Sequence, residues 1–224
     1  MCVKRWSSTS TPTNRMTTTT ERSEGGAGKD WGAAPKCTAE PDFENLLAVL
    51  RCDRPARPTL FEFFLNERLH AKLAPPPENA PSNLDRLEPE TRKGMKLIVN
   101  GPNVVLENVI RLIGFENLCL MTADDESLVS DMFEQVGSRI VRYYVRCLQH
   151  GVVGAVIGND DWGFRSQTML SPDDMRKFVC PWHRQIVAAA HAAGRPAILH
   201  SCGNLDEVLT DIIVDMQYDG EQCA

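Results

Sequence analysis

No apolar run in this chain approaches the ~18 residues of a membrane-spanning helix. No basic n-region followed by an apolar h-region marks a secretory leader. Positive charge is also in short supply: 24 Lys and Arg stand against 30 Asp and Glu, a net charge of −6. That balance argues against nucleic acid or an anionic membrane as the main partner. The eight cysteines form no CxxC pair and no dense framework, so they are expected to be reduced thiols of a cytoplasmic protein. There is no GxGxxG and no P-loop, which leaves a nucleotide cofactor without support. No internal repeat is found.

What is present is an ordinary globular composition with an unusual beginning. Of 224 residues, 42% are apolar and 24% charged, enough to bury a single core. Residues 1–41 stand apart, hydroxyl-rich at Ser7–Thr11 and Thr17–Thr20 and Gly/Ala-rich at Gly25–Gly28. Little there offsets the entropy of ordering a backbone, so a disordered tail is expected. Met16 is an alternative start.

The globular domain is expected over residues 42–224. Phe43–Arg51 reads as a short amphipathic helix, with Leu46, Leu47 and Leu50 on one side. Thr59–Leu65 suits a strand buried on both faces. Residues 75–92 read as a long loop, and Lys96–Val99 as a second strand. Asn103 is expected to cap a helix running to Ile113, with Gly114 as its stop. Asp125 caps the next helix, which carries Leu128, Val129, Met132, Phe133, Val136 and Ile140. Val152–Ile157 is an apolar strand, and Ser171-Pro172 opens a helix that ends at Gly194. A strand over 196–201 comes directly after it. Asn204 is expected to open a further helix carrying Leu205, Val208 and Ile212, and a last strand to begin over Asp215–Asp219. Apolar strands alternating with amphipathic helices mean βα units on a parallel sheet.

Chemistry-bearing residues collect just after the strands, where (β/α) barrels and open α/β sheets hold their sites. His200 and Cys202 lie two apart at a strand end, so both project to one face. An imidazole and a thiol so placed suit zinc; the alternative is a core histidine beside a small buried thiol. A helix starting at Gly203-Asn204 would lower the Cys202 pKa through its dipole. Asp160 and Asp161 form a carboxylate pair capable of acid and base work, or else a turn in which Asp caps the next segment. Trp162 and Phe164 could wall a pocket, although Trp162 also suits core packing. Glu62 sits inside an apolar run, where a carboxylate needs either a partner or a substrate. Cys223, the only later cysteine, is a weak candidate third ligand. His183 and His191 read as packing or surface residues.

Asp160-Asp-Trp-Gly163, Ser171-Pro172, Pro181-Trp182 and His200-Ser-Cys-Gly-Asn204, in this order and spacing, resemble the uroporphyrinogen decarboxylase superfamily. The opening Arg54-Pro-Ala-Arg-Pro-Thr-Leu-Phe-Glu62 is similar to that family's first barrel strand. The resemblance spans about residues 42–220. It implies an α/β fold, a (β/α)8 TIM barrel with its active site at the strand carboxyl ends. The chain is shorter than the about 250 residues such barrels typically need. About five or six βα units are therefore expected, an incomplete barrel from a truncated or frame-shifted product or a fragment.

Two branches of the family compete. The decarboxylase branch removes acetate carboxylates from a porphyrinogen without metal or cofactor and grips its polyanionic substrate with arginines. Its Arg-Gln-Ala-Gly-Arg segment corresponds here to Phe64-Leu-Asn-Glu-Arg-Leu-His70, which does not match. The other branch moves a methyl group from a corrinoid protein to a thiol. It binds zinc through an H-x-C on this strand plus a later cysteine. The resemblance puts His200 and Cys202 on that motif as metal ligands, and the later cysteine falls beyond the last residue. The expectation is a zinc methyltransferase with Asp160 and Asp161 as catalytic groups and Glu62 and Trp162 against a small-molecule substrate. The alternatives are a porphyrinogen decarboxylase, whose aspartates would stabilise a protonated pyrrole, and an inactive fragment.

Overall fold

The computed structural model describes residues 41–57 and 94–222. The tail expected over residues 1–41 falls outside these but for its last residue. The strand expected over Thr59–Leu65, with Glu62, the loop over 75–92 and Cys223 also lie outside them.

The described residues build a four-stranded sheet in the order β1-β2-β3-β4, all parallel. The strands are β1 (Leu97–Asn100), β2 (Val153–Asn159), β3 (Ala197–His200) and β4 (Gly220–Gln222). Helix α1 (Glu44–Leu50) precedes them. Helices α2 (Leu106–Ile113), α3 (Phe115–Asp124) and α4 (Glu126–Leu148) connect β1 to β2. Between β2 and β3 lie α5 (Pro172–Asp174), a π-helical stretch (Met175–Val179) and α6 (Cys180–Ala192). Neighbouring parallel strands in sequence order, joined through helices, form an arc of a (β/α) barrel.

The two faces of the sheet differ. Val99, Val156, Ala197 and Leu199 belong to the helix-covered core. Ala155, Ile157 and Ile198 are equally buried but face the other way, as the period of two requires. Ile157 pairs with Ile198 in register, and Asn159 with His200. Asn159 and His200 therefore continue the inner face at the strand carboxyl ends.

Helices α4 and α6 pack closely over the outer face. Phe133 stacks on Phe178 with centroids 5.5 Å apart. A Cβ on Gly137 would come 2.1 Å from the Trp182 ring, so only glycine permits this crossing. Pro181 follows the π-helical stretch; lacking an N–H, it has nothing to give the carbonyl one turn back, and the wider turn absorbs that defect.

Several local expectations hold. The Asp125 side chain accepts from Leu128 N–H at 3.0 Å and caps α4. Ser171 caps α5, with Pro172 at the first turn. Others are corrected. Helix α2 starts at Leu106 rather than after Asn103, which sits outside it in the left-handed region (φ +56°). Its cap is supplied from far away by Asp160. Helix α3 was not expected: Gly114 turns the chain at φ +84° and a new helix begins at once. The apolar residues of α3 give little periodic signal, since Leu118 is buried and Leu120 exposed. The regular helix expected from Asn204 is replaced by a 3-10 turn (Asp206–Val208) and a π-type stretch (Asp211–Asp215). The last strand begins at Gly220, after a turn with Gln217 at φ +61°.

Candidate metal centre

The segments after β2 and β3 run side by side and extend the pairing beyond the strands. Asp160 N–H donates to the His200 carbonyl at 3.0 Å, and Gly163 N–H to the Cys202 carbonyl at 3.0 Å. Trp162 N–H donates to Ser201 Oγ at 3.0 Å, and Asn204 N–H to the Phe164 carbonyl at 2.7 Å. Two glycines permit this approach. A Cβ on Gly203, itself at φ +91°, would lie 2.2 Å from the Gly163 backbone, and one on Gly163 would lie 2.7 Å from Asn204 N.

This pairing brings Asp161 to His200 and Cys202. A carboxylate oxygen, a ring nitrogen and the thiol sulfur all lie within 4.8 Å of one another, on half-buried residues. Cys202 N–H donates to Asp161 Oδ1 at 2.9 Å, which fixes the carboxylate. A tetrahedral zinc with metal–ligand bonds of about 2.0–2.3 Å needs donors roughly 3.3–3.6 Å apart. Small side-chain rotations therefore separate this arrangement from a coordination shell. The donor set, one nitrogen, one sulfur and one oxygen, is among those zinc accepts.

Burial pushes the Cys202 thiol above its ordinary value of 9.0, and the hydrogen bond to Asp161 followed by the charges of Asp161 and Glu107 push the same way. This corrects the expected lowering by a helix dipole: no regular helix starts beside the thiol, and two carboxylates do stand near it. Glu107 is a member of the site that sequence reasoning missed. Its carboxyl is raised by burial and by the charges of Asp160 and Asp161, while the Asp161 N–H and Arg111 pull it down. A cation at this point would relieve both effects. In the metal-free protein, Asp161→Asn removes two of the causes that hold the thiol up. The midpoint of Cys202 alkylation against pH should therefore fall from above 9.0 towards it. An unmoved midpoint would contradict the placement of Asp161.

Asp160 and Trp162 have other work. Asp160 is wholly buried and takes five hydrogen bonds. Val105 N–H (3.1 Å), Leu106 N–H (3.0 Å), Trp162 Nε1 (3.1 Å) and His183 Nε2 (3.0 Å) reach Oδ2, and Glu107 N–H (2.9 Å) reaches Oδ1. An ionised carboxylate only accepts, so His183 carries its proton on Nε2. Its Nδ1 then meets the Tyr218 hydroxyl at 2.7 Å. Gly158 leaves room for that contact, since a Cβ there would meet the Tyr218 oxygen at 2.5 Å. Asp160 thus caps the start of α2, and Trp162, with no exposed surface, packs in the core. His183, expected to be an ordinary packing residue, is the partner of Asp160. Phe164 remains exposed, edge-on to Phe115 with centroids 5.4 Å apart.

No helix among the described residues is long and apolar enough to cross a membrane. No curated protein and no solved structure matches the chain. A family model described as Uroporphyrinogen decarboxylase (URO-D) matches residues 98–222. The match takes in more than half of the chain, nearly all of β1 and the whole of β2 to β4, and both segments that build the Asp161–His200–Cys202 cluster. The chain belongs to the uroporphyrinogen decarboxylase family, whose fold is the TIM barrel.

Proposed function

We propose that this protein is a zinc-dependent methyltransferase that moves a methyl group from a corrinoid protein to a small thiol, with Asp161, His200 and Cys202 as its metal ligands. The convergence of these three donor atoms within 4.8 Å carries the reading. Bound zinc would supply a Lewis acid that keeps an acceptor sulfur in its thiolate form. The strand period sets His200 and Cys202 on one face, and the backbone of Cys202 holds Asp161. Phe164 offers an apolar surface at the rim. In the transfer, the acceptor's S–C bond forms as the donor's Co–C bond breaks. The electron pair stays on the corrinoid cobalt, and the thiol proton passes to solvent.

The metal-free decarboxylase reading is weaker on this geometry. Asp160 already accepts five hydrogen bonds, so a protonated pyrrole would find only one of the two aspartates. The carboxylates of Asp161 and Glu107 would also oppose a polyanionic substrate.

The test is methyl transfer from methylcobalamin, standing in for the corrinoid protein, to 2-mercaptoethanol. Zinc-loaded protein should demethylate the cobalamin on the order of 100-fold faster than zinc-free protein. Equal rates with and without zinc would end the proposal, as would decarboxylation of a porphyrinogen by zinc-free protein.

A further inference from the structure

Asn159 stands in register with His200 on the inner face of the sheet. Its side-chain Nδ2 donates to Asn103 Oδ1 at 3.3 Å, and its carbonyl accepts from Val104 N–H at 2.9 Å. Asn103 is thereby held against Asn159, the neighbour of His200 across the sheet, in a left-handed conformation (φ +56°) that few residues other than Asn and Gly adopt readily. The Asn103 Nδ2 is buried, and no acceptor among the described residues takes either of its hydrogens. A buried amide left without an acceptor costs free energy comparable to a lost hydrogen bond. Exchanging the oxygen and nitrogen of both amides moves the mismatch to the Asn103 oxygen without removing it.

We propose that the Asn103–Asn159 pair is the substrate-recognition end of this site, with the Asn103 amide donating to a neutral carbonyl or hydroxyl oxygen of the thiol substrate. Neutrality follows from the neighbours. The charges of Asp161 and Glu107 both bear on Cys202, so a carboxylate on a substrate bound at this cluster would meet two groups of like charge. The assignment rests on the metal-centred reading for its thiol end, whereas the oxygen contact depends on the two asparagines alone.

The experiment uses the full chain labelled with 15N-asparagine, titrated with 3-mercaptopropanamide, 3-mercaptopropionate and propanethiol, with and without zinc. The Asn103 side-chain signals are identified by their loss in Asn103→Asp, which preserves shape and backbone preference. Zinc affinity is measured separately. The amide probe should move the Asn103 signals and bind roughly tenfold more tightly than propanethiol or the carboxylate. That preference should vanish in Asn103→Asp and in Asn103→Gly, while both variants keep wild-type zinc affinity. Signals that stay fixed at high probe concentration, as they would if a tightly held water were the standing partner, overturn the assignment, and so does a preference that survives in either variant. If zinc does not bind, the metal-centred reading fails. The titration of zinc-free protein then still decides whether Asn103 meets the probe oxygen.

Discussion

Replacing Asp160 with asparagine should cost the fold about 1–3 kcal/mol, the scale of leaving a buried hydrogen-bonding group without its partner. Five donors converge on this carboxylate. The asparagine oxygen can keep those now on Oδ2, but its NH2 then faces the Glu107 N–H, donor against donor. The negative charge at the start of α2 is lost as well, and with it the favourable interaction with the helix dipole. The loss is a large fraction of the about 5–15 kcal/mol that holds a domain together. Urea denaturation measures it, with Asp161→Asn as the comparison. Asp161 is half-buried and accepts fewer protein hydrogen bonds, so its substitution should change stability by no more than about 1 kcal/mol. Equal costs at the two positions would refute the division of labour between these adjacent aspartates.

Cys202→Ser should weaken zinc binding by more than about 100-fold, since even groups that only orient metal ligands contribute 10–100-fold. A hydroxyl is a poorer and harder donor than a thiolate for a borderline-soft ion. The far-ultraviolet circular dichroism should be unchanged, because Cys202 lies beyond the end of β3 and outside the packed core. Unaltered zinc affinity in this variant would remove the sulfur from the site.

The sequence made some of this structure legible and left much of it hidden. Alternation of apolar strands with amphipathic helices located β2, β3 and α4 to within a few residues, because each buries a periodic face against its neighbours; the single helix expected from Ser171-Pro172 to Gly194 is instead α5, the π-helical stretch and α6 in succession. The spacing of His200 and Cys202 located the candidate site, since the strand period alone puts both on one face. The partnership of Asp161 with them was not legible. It arises from pairing between two strand-end segments 41 residues apart, and no local pattern encodes it. The same holds for the cap of α2, where Asp160 replaces the expected Asn103 across more than 50 residues. Glu107, His183 and Tyr218 likewise gain their roles only through contacts made by the folded chain. Two adjacent aspartates look interchangeable in sequence, and the fold turns one into the core and the other towards His200 and Cys202.

The central claim, a cation held jointly by Asp161, His200 and Cys202, is tested most directly by X-ray absorption of the zinc-loaded protein. The account predicts one equivalent of zinc with a single sulfur at about 2.3 Å and the remaining donors, nitrogen and oxygen, at about 2.0–2.2 Å. The sulfur should disappear in Cys202→Ser. A protein that retains no zinc, or holds it in a shell without sulfur, would contradict the claim.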